Sequence, residues 1–194
     1  MINTIFTGRK LRKKKELMDL EVRNYYIINQ GFMFMTEHLD RYGNQYTLIR
    51  DTSGLTAVSR STLNIMDDSI RCIGFDLRGA VGTSKWLLDQ TAMCPVMINP
   101  IDRIVLFPTR SHHHEENIWF NPHHIKRTIG ISGKTKILFT DGTSLTIPTR
   151  LSSFNSKLQT AEQLMNLTIE SANKPFTFVL NPKKKICKKH KEKK

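Results

Sequence analysis

Residues 136–147 read Lys-Ile-Leu-Phe-Thr-Asp-Gly-Thr-Ser-Leu-Thr-Ile, two apolar runs on either side of an Asp-Gly pair. Asp-Gly between such runs is typical of a β-hairpin, because the tight primed turn needs positive φ at both central residues. We therefore predict that Lys136–Phe139 pairs with Ser144–Ile147 across Asp141-Gly142.

A helix is predicted on each side of the hairpin. After Pro148, Ser152 or Ser153 can cap a C-terminal helix, because apolar residues recur there every three to four positions. Those residues are Phe154, Leu158, Ala161, Met165 and Ile169. Upstream, Ser61 or Thr62 can cap a mid-chain helix that stops at Gly74. Its apolar residues are Leu63, Ile65, Met66, Ile70 and Ile73.

The remaining apolar runs are short and lie between turn residues, which favours strands. They are Tyr25–Ile28, Phe32–Met35, Tyr46–Ile49 and Ile104–Phe107, while the stretch around Gly79 and Gly82 reads as turns. The predicted class is α+β, a single domain with a mostly antiparallel sheet, a mid-chain helix and a C-terminal packing helix.

Three regions are expected along the 194 residues. Residues 1–20 form a flexible basic leader, 21–172 the folded domain, and 173–194 an extended element followed by a lysine-rich tail. Because residues 1–17 show no core-facing pattern, a translation start at Met18 instead of Met1 is a second hypothesis.

The formal net charge of +13 suggests nucleic acid, but its location weakens that inference. Residues 9–15 carry six basic side chains, and residues 183–194 carry eight lysines against one acid, Glu192. These two arms hold the whole net charge, so the body between them is formally neutral. Basic arms attract phosphate without reading sequence, and a solvated tail explains each arm equally well.

The three cysteines, Cys72, Cys94 and Cys187, are widely spaced and form no C-x-x-C pair. They are typical of reduced thiols, and the chain shows neither a signal-peptide pattern nor an apolar run of membrane-spanning length. We expect a cytoplasmic protein with no membrane partner.

Five histidines lie close together, in His112-His113-His114 and His123-His124. Consecutive side chains diverge on a strand or a helix, so they rarely meet on one ion, and no H-E-x-x-H spacing accompanies them. A polar loop with a partly buried His123 or His124 is favoured, with no metal and no cofactor. A histidine-based metal-dependent hydrolase, with Glu115-Glu116 as a source of a base, is the alternative, although no pattern positions a nucleophile.

Local basic clusters on the body are candidate DNA contacts, because cationic side chains on turns and hairpins can enter the narrow minor groove of A/T-rich DNA. Ordinary surface charge explains such clusters as well. The candidates are Arg71, Arg78, Lys85, Lys126, Arg127, Lys134, Lys136 and Arg150.

Several linked blocks resemble the competence transcription factor ComK family. They are 68–79 (Asp-Ser-Ile-Arg-Cys-Ile-Gly-Phe-Asp-Leu-Arg-Gly), 103–109 (Arg-Ile-Val-Leu-Phe-Pro-Thr), 116–125 (Glu-Asn-Ile-Trp-Phe-Asn-Pro-His-His-Ile), 139–143 and 152–154. The resemblance covers about Tyr25 to Asn181. It implies a DNA-binding transcriptional activator of DNA-uptake genes and not an enzyme. Such a regulator binds A/T-rich boxes in double-stranded DNA through the minor groove as a homo-oligomer, bends the site and works with RNA polymerase.

The resemblance also implies a protease-adaptor element near the C-terminus. Phe178-Val179-Leu180-Asn181-Pro182-Lys183 is similar to the family's F-M-L-Y-P-K segment, through which a MecA-type adaptor presents such proteins to the ClpC-ClpP protease. The chain departs from the family pattern at Ala80, where the family commonly has Arg, and in its lysine-rich tail. A truncated, inactive ComK-like protein is therefore a further alternative.

Overall fold

A computed structural model describes residues 22–39, 43–111, 114 and 116–173, with side chains up to residue 170. In chain order the elements are β1 (Val22–Arg23), β2 (Phe32–Leu39), β3 (Gln45–Asp51), β4 (Gly54–Val58), α1 (Thr62–Arg71), α2 (Leu77–Leu88), β5 (Val96–Asn99), β6 (Ile104–Pro108), β7 (Ile118–Phe120), a 3-10 turn (Pro122–His124), β8 (Ile125–Ile131), β9 (Lys134–Phe139), β10 (Ser144–Ile147) and α3 (Leu151–Asn173). The predicted α+β class is confirmed.

The strands form two sheets. The larger sheet has the order β1-β4-β3-β2-β7-β6-β5, and the smaller has the order β10-β9-β8. All pairs are antiparallel except β1 with β4. The central pairing of β2 with β7 joins segments far apart in the chain, with Met35 opposite Trp119.

Side chains of the larger sheet alternate between two cores, one on each side. On β6, Ile104 and Leu106 enter the first core, whereas Val105 and Phe107 enter the second. The first core is covered by α1, through Ile65, Met66 and Ile70, and the second by the smaller sheet and α3. The molecule is therefore layered, with α1 on one side of the larger sheet and the smaller sheet with α3 on the other.

The aromatic centre of the second core joins the two sheets. The Phe120 ring of β7 lies 5.7 Å from that of Phe34, 5.8 Å from Phe107, 6.4 Å from Phe139 on β9 and 5.5 Å from Phe154 on α3. At the surface, Arg50 of β3 pairs with Asp141 in the β9–β10 loop at 3.1 Å.

The predicted hairpin of Lys136–Phe139 with Ser144–Ile147 is confirmed, with Lys136 opposite Thr146. The predicted primed turn is wrong, because Gly142 has a φ of 82° while Asp141 is not among the positive-φ residues. The loop is a wider one, closed by Phe139 N–H donating to the Thr143 carbonyl. Asp141 Oδ1 accepts from the Thr143 N–H and hydroxyl, at 2.9 and 2.6 Å, which fixes the loop.

Primed-turn backbone occurs instead in the β8–β9 hairpin, which the sequence patterns did not predict. Ser132 and Gly133 have φ values of 46° and 77°, and Ile131 pairs with Lys134 across them. No heavy atom lies within 4 Å of a Cβ built on Gly133, so only backbone strain opposes a side chain there.

Gly133→Ala should therefore lower the free energy of unfolding by about 1 kcal/mol, the cost of left-handed backbone in a residue with a Cβ. Ser132→Asn is the control, because asparagine tolerates this conformation, and it should change stability by less than about 0.5 kcal/mol. Urea unfolding of both variants measures the difference. Equal stability of Gly133→Ala and wild type would contradict a primed turn at this position.

Two predicted elements differ in the structure. Tyr25–Ile28 is not a strand, because the Ile28 N–H donates to the Ser69 hydroxyl at 3.0 Å instead of to a neighbouring strand. The stretch around Gly79 and Gly82 is helical, since Asp76 accepts from the Gly79 N–H at 2.7 Å and caps α2.

The mid-chain helix is confirmed with Ser61 as its cap, and the C-terminal helix is confirmed from Leu151 onward. Its predicted cap at Ser152 or Ser153 is wrong, because the Phe154 N–H already donates to the Arg150 carbonyl. The cap lies at Arg150, one residue before the helix begins.

On α3, the half-buried Lys157 donates to the Thr109 carbonyl at the end of β6. Burial lowers the pKa of Lys157, and the nearby Arg110 lowers it further. The charged form is therefore less favourable in the folded chain than in the unfolded chain.

Because the folded pKa lies below the unfolded value, folding releases protons from Lys157 between the two pKa values, and stability rises with pH there. The unfolding free energy of wild type should thus increase, relative to Lys157→Met, as the pH rises towards the pKa of lysine in the unfolded chain, about 10.5. Urea unfolding at several pH values measures this, with Lys85→Met as an exposed control. A difference that stays flat or falls with pH would contradict the effect.

Candidate nucleic-acid interface

The smaller sheet has one face towards the second core and one towards the exterior. On β9, Thr135, Ile137 and Phe139 are buried, so Lys134, Lys136 and Leu138 lie on the other face. Their β8 partners are Ile131, Ile129 and Arg127, respectively. The hairpin face is defined as the outward face of this sheet. It comprises Arg127, Ile129, Ile131, Lys134, Lys136, Leu138, Ser144 and Thr146.

The hairpin face combines cations with aliphatic side chains in a regular way. Each of its three β8–β9 pairs, Arg127–Leu138, Ile129–Lys136 and Ile131–Lys134, joins one cation to one aliphatic residue. The strands β8, β9 and β10 contain no Asp or Glu. The face therefore has local positive charge even though the body of the chain is formally neutral.

Two further candidates lie near the hairpin face. Lys126 is exposed at the register shift between Ile125 and Arg127. Arg150 is exposed and follows Thr149, whose carbonyl accepts from the Thr135 hydroxyl at 2.7 Å. This hydrogen bond places the start of α3 beside the hairpin end of the sheet.

The other three candidates line a second surface, the helix groove between α1 and α2. This open groove has a volume of about 770 Å³. Its lining residues are Leu63, Asn64, Asp67, Arg71, Asp76, Leu77, Arg78, Val81, Gly82 and Lys85. The eight sequence candidates are thus split between opposite sides of the larger sheet, five near the hairpin face and three at the helix groove.

The two surfaces differ in their charge balance. In the helix groove, Asp67 accepts from Arg71 at 2.8 Å and from the Leu77 N–H at 3.1 Å, so part of the positive charge is neutralised. Asp76 adds a second carboxylate to its lining. The strands of the hairpin face offer no comparable acid, so this face is the stronger candidate for phosphate contact.

The histidine cluster is only partly within the described residues, because His112, His113 and Glu115 lie outside them. His124 is buried, with Nε2 2.7 Å from the Gln30 carbonyl and Nδ1 3.2 Å from the Thr140 hydroxyl. His123, the other member of the pair, is exposed. The prediction of a partly buried His123 or His124 is confirmed at His124, and its ring connects Thr140 of the β9–β10 loop to Gln30 in the loop before β2.

The third described histidine of the cluster, His114, lies 3.1 Å from Arg110, which also pairs with Glu116 at 3.2 Å. Within the described part of the chain, no three His, Cys, Asp or Glu side chains converge in a way that could hold a metal ion. The hydrolase alternative therefore has no metal site among the described residues.

A family model described as ComK protein matches residues 23–173. The chain belongs to the ComK family. No curated protein and no solved structure matches it. ComK membership fits a competence-related transcription factor, and this family is one of regulators and not of enzymes.

The ComK match spans both candidate surfaces but ends before the predicted adaptor element at 178–183, which lies outside the described residues. At the position where this chain departs from the ComK pattern, Ala80 is half-buried and packs against the first core, whereas Arg78 is exposed. None of the described helices has the length and apolar composition needed to cross a bilayer.

Proposed function

We propose that this ComK-family chain is a transcriptional activator of competence genes that binds A/T-rich boxes in double-stranded DNA through the minor groove. The hairpin face is its contact surface. The observation that carries the proposal is the set of three cation–aliphatic pairs on strands without acidic residues.

The composition of the hairpin face fits what a minor-groove surface needs. Arg127, Lys134 and Lys136 supply charge for phosphates, and the deep negative potential of A/T-rich minor grooves attracts such cations. Ser144 and Thr146, on the neighbouring strand, add hydroxyl groups that can donate to phosphate oxygens. The floor of this groove carries the adenine N3 and thymine O2 acceptors, so the aliphatic residues paired with the cations would contact the sugars along its walls.

A β-ribbon is also the right shape for this role. Strands can enter either groove of DNA, and a two-stranded hairpin presents side chains in a regular array. The hairpin face is held from behind by the aromatic core and by Thr128, whose hydroxyl donates to Asn155 of α3 at 2.9 Å. A supported surface loses little entropy on binding.

The helix groove is proposed to make fewer DNA contacts than the hairpin face. It lies on the opposite side of the larger sheet, and Arg71 is already paired there. The basic arms outside the folded domain would add attraction that does not depend on sequence.

The other partners follow from family membership alone and are part of the same proposal. They are a second copy of the chain, RNA polymerase at the target promoter, and a MecA-type adaptor that recognises residues 178–183 and delivers the chain to ClpC-ClpP. A cytoplasmic location at the nucleoid is also part of the proposal.

The test is equilibrium binding of the full chain to an A/T-box duplex and to a G/C-scrambled duplex across a salt series. We expect at least about tenfold tighter binding to the A/T box at 0.2 M salt, where nonspecific attraction is weakened. Equal affinities with a steep salt slope would show only phosphate attraction by the arms and would overturn the proposal. Selective binding without reporter activation would favour the alternative of a truncated, inactive family member.

A further inference from the structure

The tip of the β8–β9 hairpin projects from the body of the protein. Residues 130–134 are all exposed, in contrast to the neighbouring residues of both strands. Ile131 is 45% exposed at this tip, whereas the other aliphatic residues of the hairpin face, Ile129 and Leu138, are half-buried. An exposed branched aliphatic side chain at a projecting tip contributes nothing to the core.

The position of Ile131 is well defined despite its exposure. Its strand partner is Lys134, and the turn between them has the primed backbone that matches the twist of paired strands. On the inner side, the preceding Gly130 faces Leu151, with 3.4 Å from a built Cβ to Leu151 Cδ2. The base of the tip therefore rests on the start of α3, and Ile131 is directed away from it.

Two cations of the neighbouring strand lie close to this aliphatic residue on the same face. Lys134 lies directly opposite, and Lys136 lies one pair further along, opposite Ile129. A duplex held by these lysines would place the Ile131 side chain against the base pairs between the contacted phosphates.

We propose that Ile131 is an apolar wedge that inserts between two base pairs from the minor groove and bends the DNA, an inference that rests on the proposed function of the hairpin face. Proteins that bind the minor groove often insert aliphatic side chains in this way and kink the duplex by about 20–90°. Unstacking costs least at pyrimidine–purine steps such as TA. The wedge would therefore select boxes with a TA step at the position that it enters.

The experiment compares wild type, Ile131→Ala and Ile131→Phe on an A/T-box duplex. One copy of the duplex carries 2-aminopurine beside its TA step, and another carries a donor and an acceptor dye at its two ends. Ile101→Ala is the matched control, because Ile101 is 81% exposed in the turn between β5 and β6, away from the hairpin face.

Wild type and Ile101→Ala should raise the 2-aminopurine fluorescence severalfold and shorten the end-to-end distance. Ile131→Ala should lose both signals while its affinity falls by about tenfold or less, and Ile131→Phe should retain both. An Ile131→Ala variant that bends and unstacks DNA as wild type does would overturn the wedge, and so would selective wild-type binding without either signal. Loss of A/T selectivity in wild type itself would instead be a failure of the proposed function.

Discussion

Replacing Phe120 by alanine should lower the free energy of unfolding by about 3–5 kcal/mol, the usual cost of removing a buried aromatic ring. Phe120 is fully buried and its ring has four aromatic neighbours, which come from both sheets and from α3. The cavity left by alanine would remove the packing contacts that join these layers at their centre. Denaturant unfolding followed by tryptophan fluorescence and far-UV circular dichroism measures the loss.

Phe120→Leu is the control for this prediction, because leucine retains most of the apolar volume and should cost less than Phe120→Ala. Phe120→Ala should also weaken DNA binding more than Phe120→Leu does, because the hairpin face is supported from behind by this core. A loss below about 1 kcal/mol for Phe120→Ala would mean that the aromatic cluster does not hold the two sheets together.

The double substitution Arg127→Ala with Lys136→Ala should weaken binding to an A/T-box duplex by about 10–100-fold at 0.1 M salt. Both residues lie on the hairpin face, opposite Leu138 and Ile129. If each contacts one phosphate, the slope of log affinity against log salt should become less steep by about 2. Fluorescence anisotropy over a salt series gives both quantities.

The matched control removes the same two charges from the helix groove, in Arg78→Ala with Lys85→Ala. Charges on the opposite side of the larger sheet are screened from a duplex at the hairpin face, because the Debye length at 0.1 M salt is about 10 Å. This control should change affinity by about threefold or less. A larger loss in the control than in the hairpin double variant would move the DNA contact surface to the helix groove.

Local patterns predicted the elements whose signals lie within a short stretch of sequence. Ser61 and the apolar spacing after it predicted α1, and the side chain of Ser61 does accept from the Asn64 N–H at 3.2 Å. The runs around Asp141-Gly142 predicted the β9–β10 hairpin for the same reason. Both elements are held at their ends by hydrogen bonds between residues that are close together in the chain.

The misassigned elements depend on tertiary contacts that outweigh local propensity. Gly79 and Gly82 disfavour a helix, but capping by Asp76 and packing of Leu77 and Val81 against the first core offset that cost. Tyr25–Ile28 has the composition of a strand, yet its backbone is held by Ser69 of α1. The order of strands in the larger sheet rests on pairings such as Met35 with Trp119, which no local pattern reveals.

The candidate site was predicted as a set of residues but not as a surface. All eight basic candidates could be named from clustering, whereas their division between two sides of the larger sheet required the strand register. Ile131 was not singled out, because an isolated isoleucine in a sequence reads as a core residue. Its exposure follows from its place beside the Ser132-Gly133 turn, which the sequence patterns did not predict.

Helix α2 contacts both cores, through Leu77 and Val81 on one side and Leu87 and Leu88 on the other, so it passes around the β5 edge of the larger sheet. At the opposite edge, the described part of β1 is two residues long. Unpaired edge strands are templates for aggregation, and covering or shortening them is a natural defence. With both edges of the larger sheet guarded in this way, a second copy that adds a strand would have to do so at β8 or β10, the edge strands of the smaller sheet.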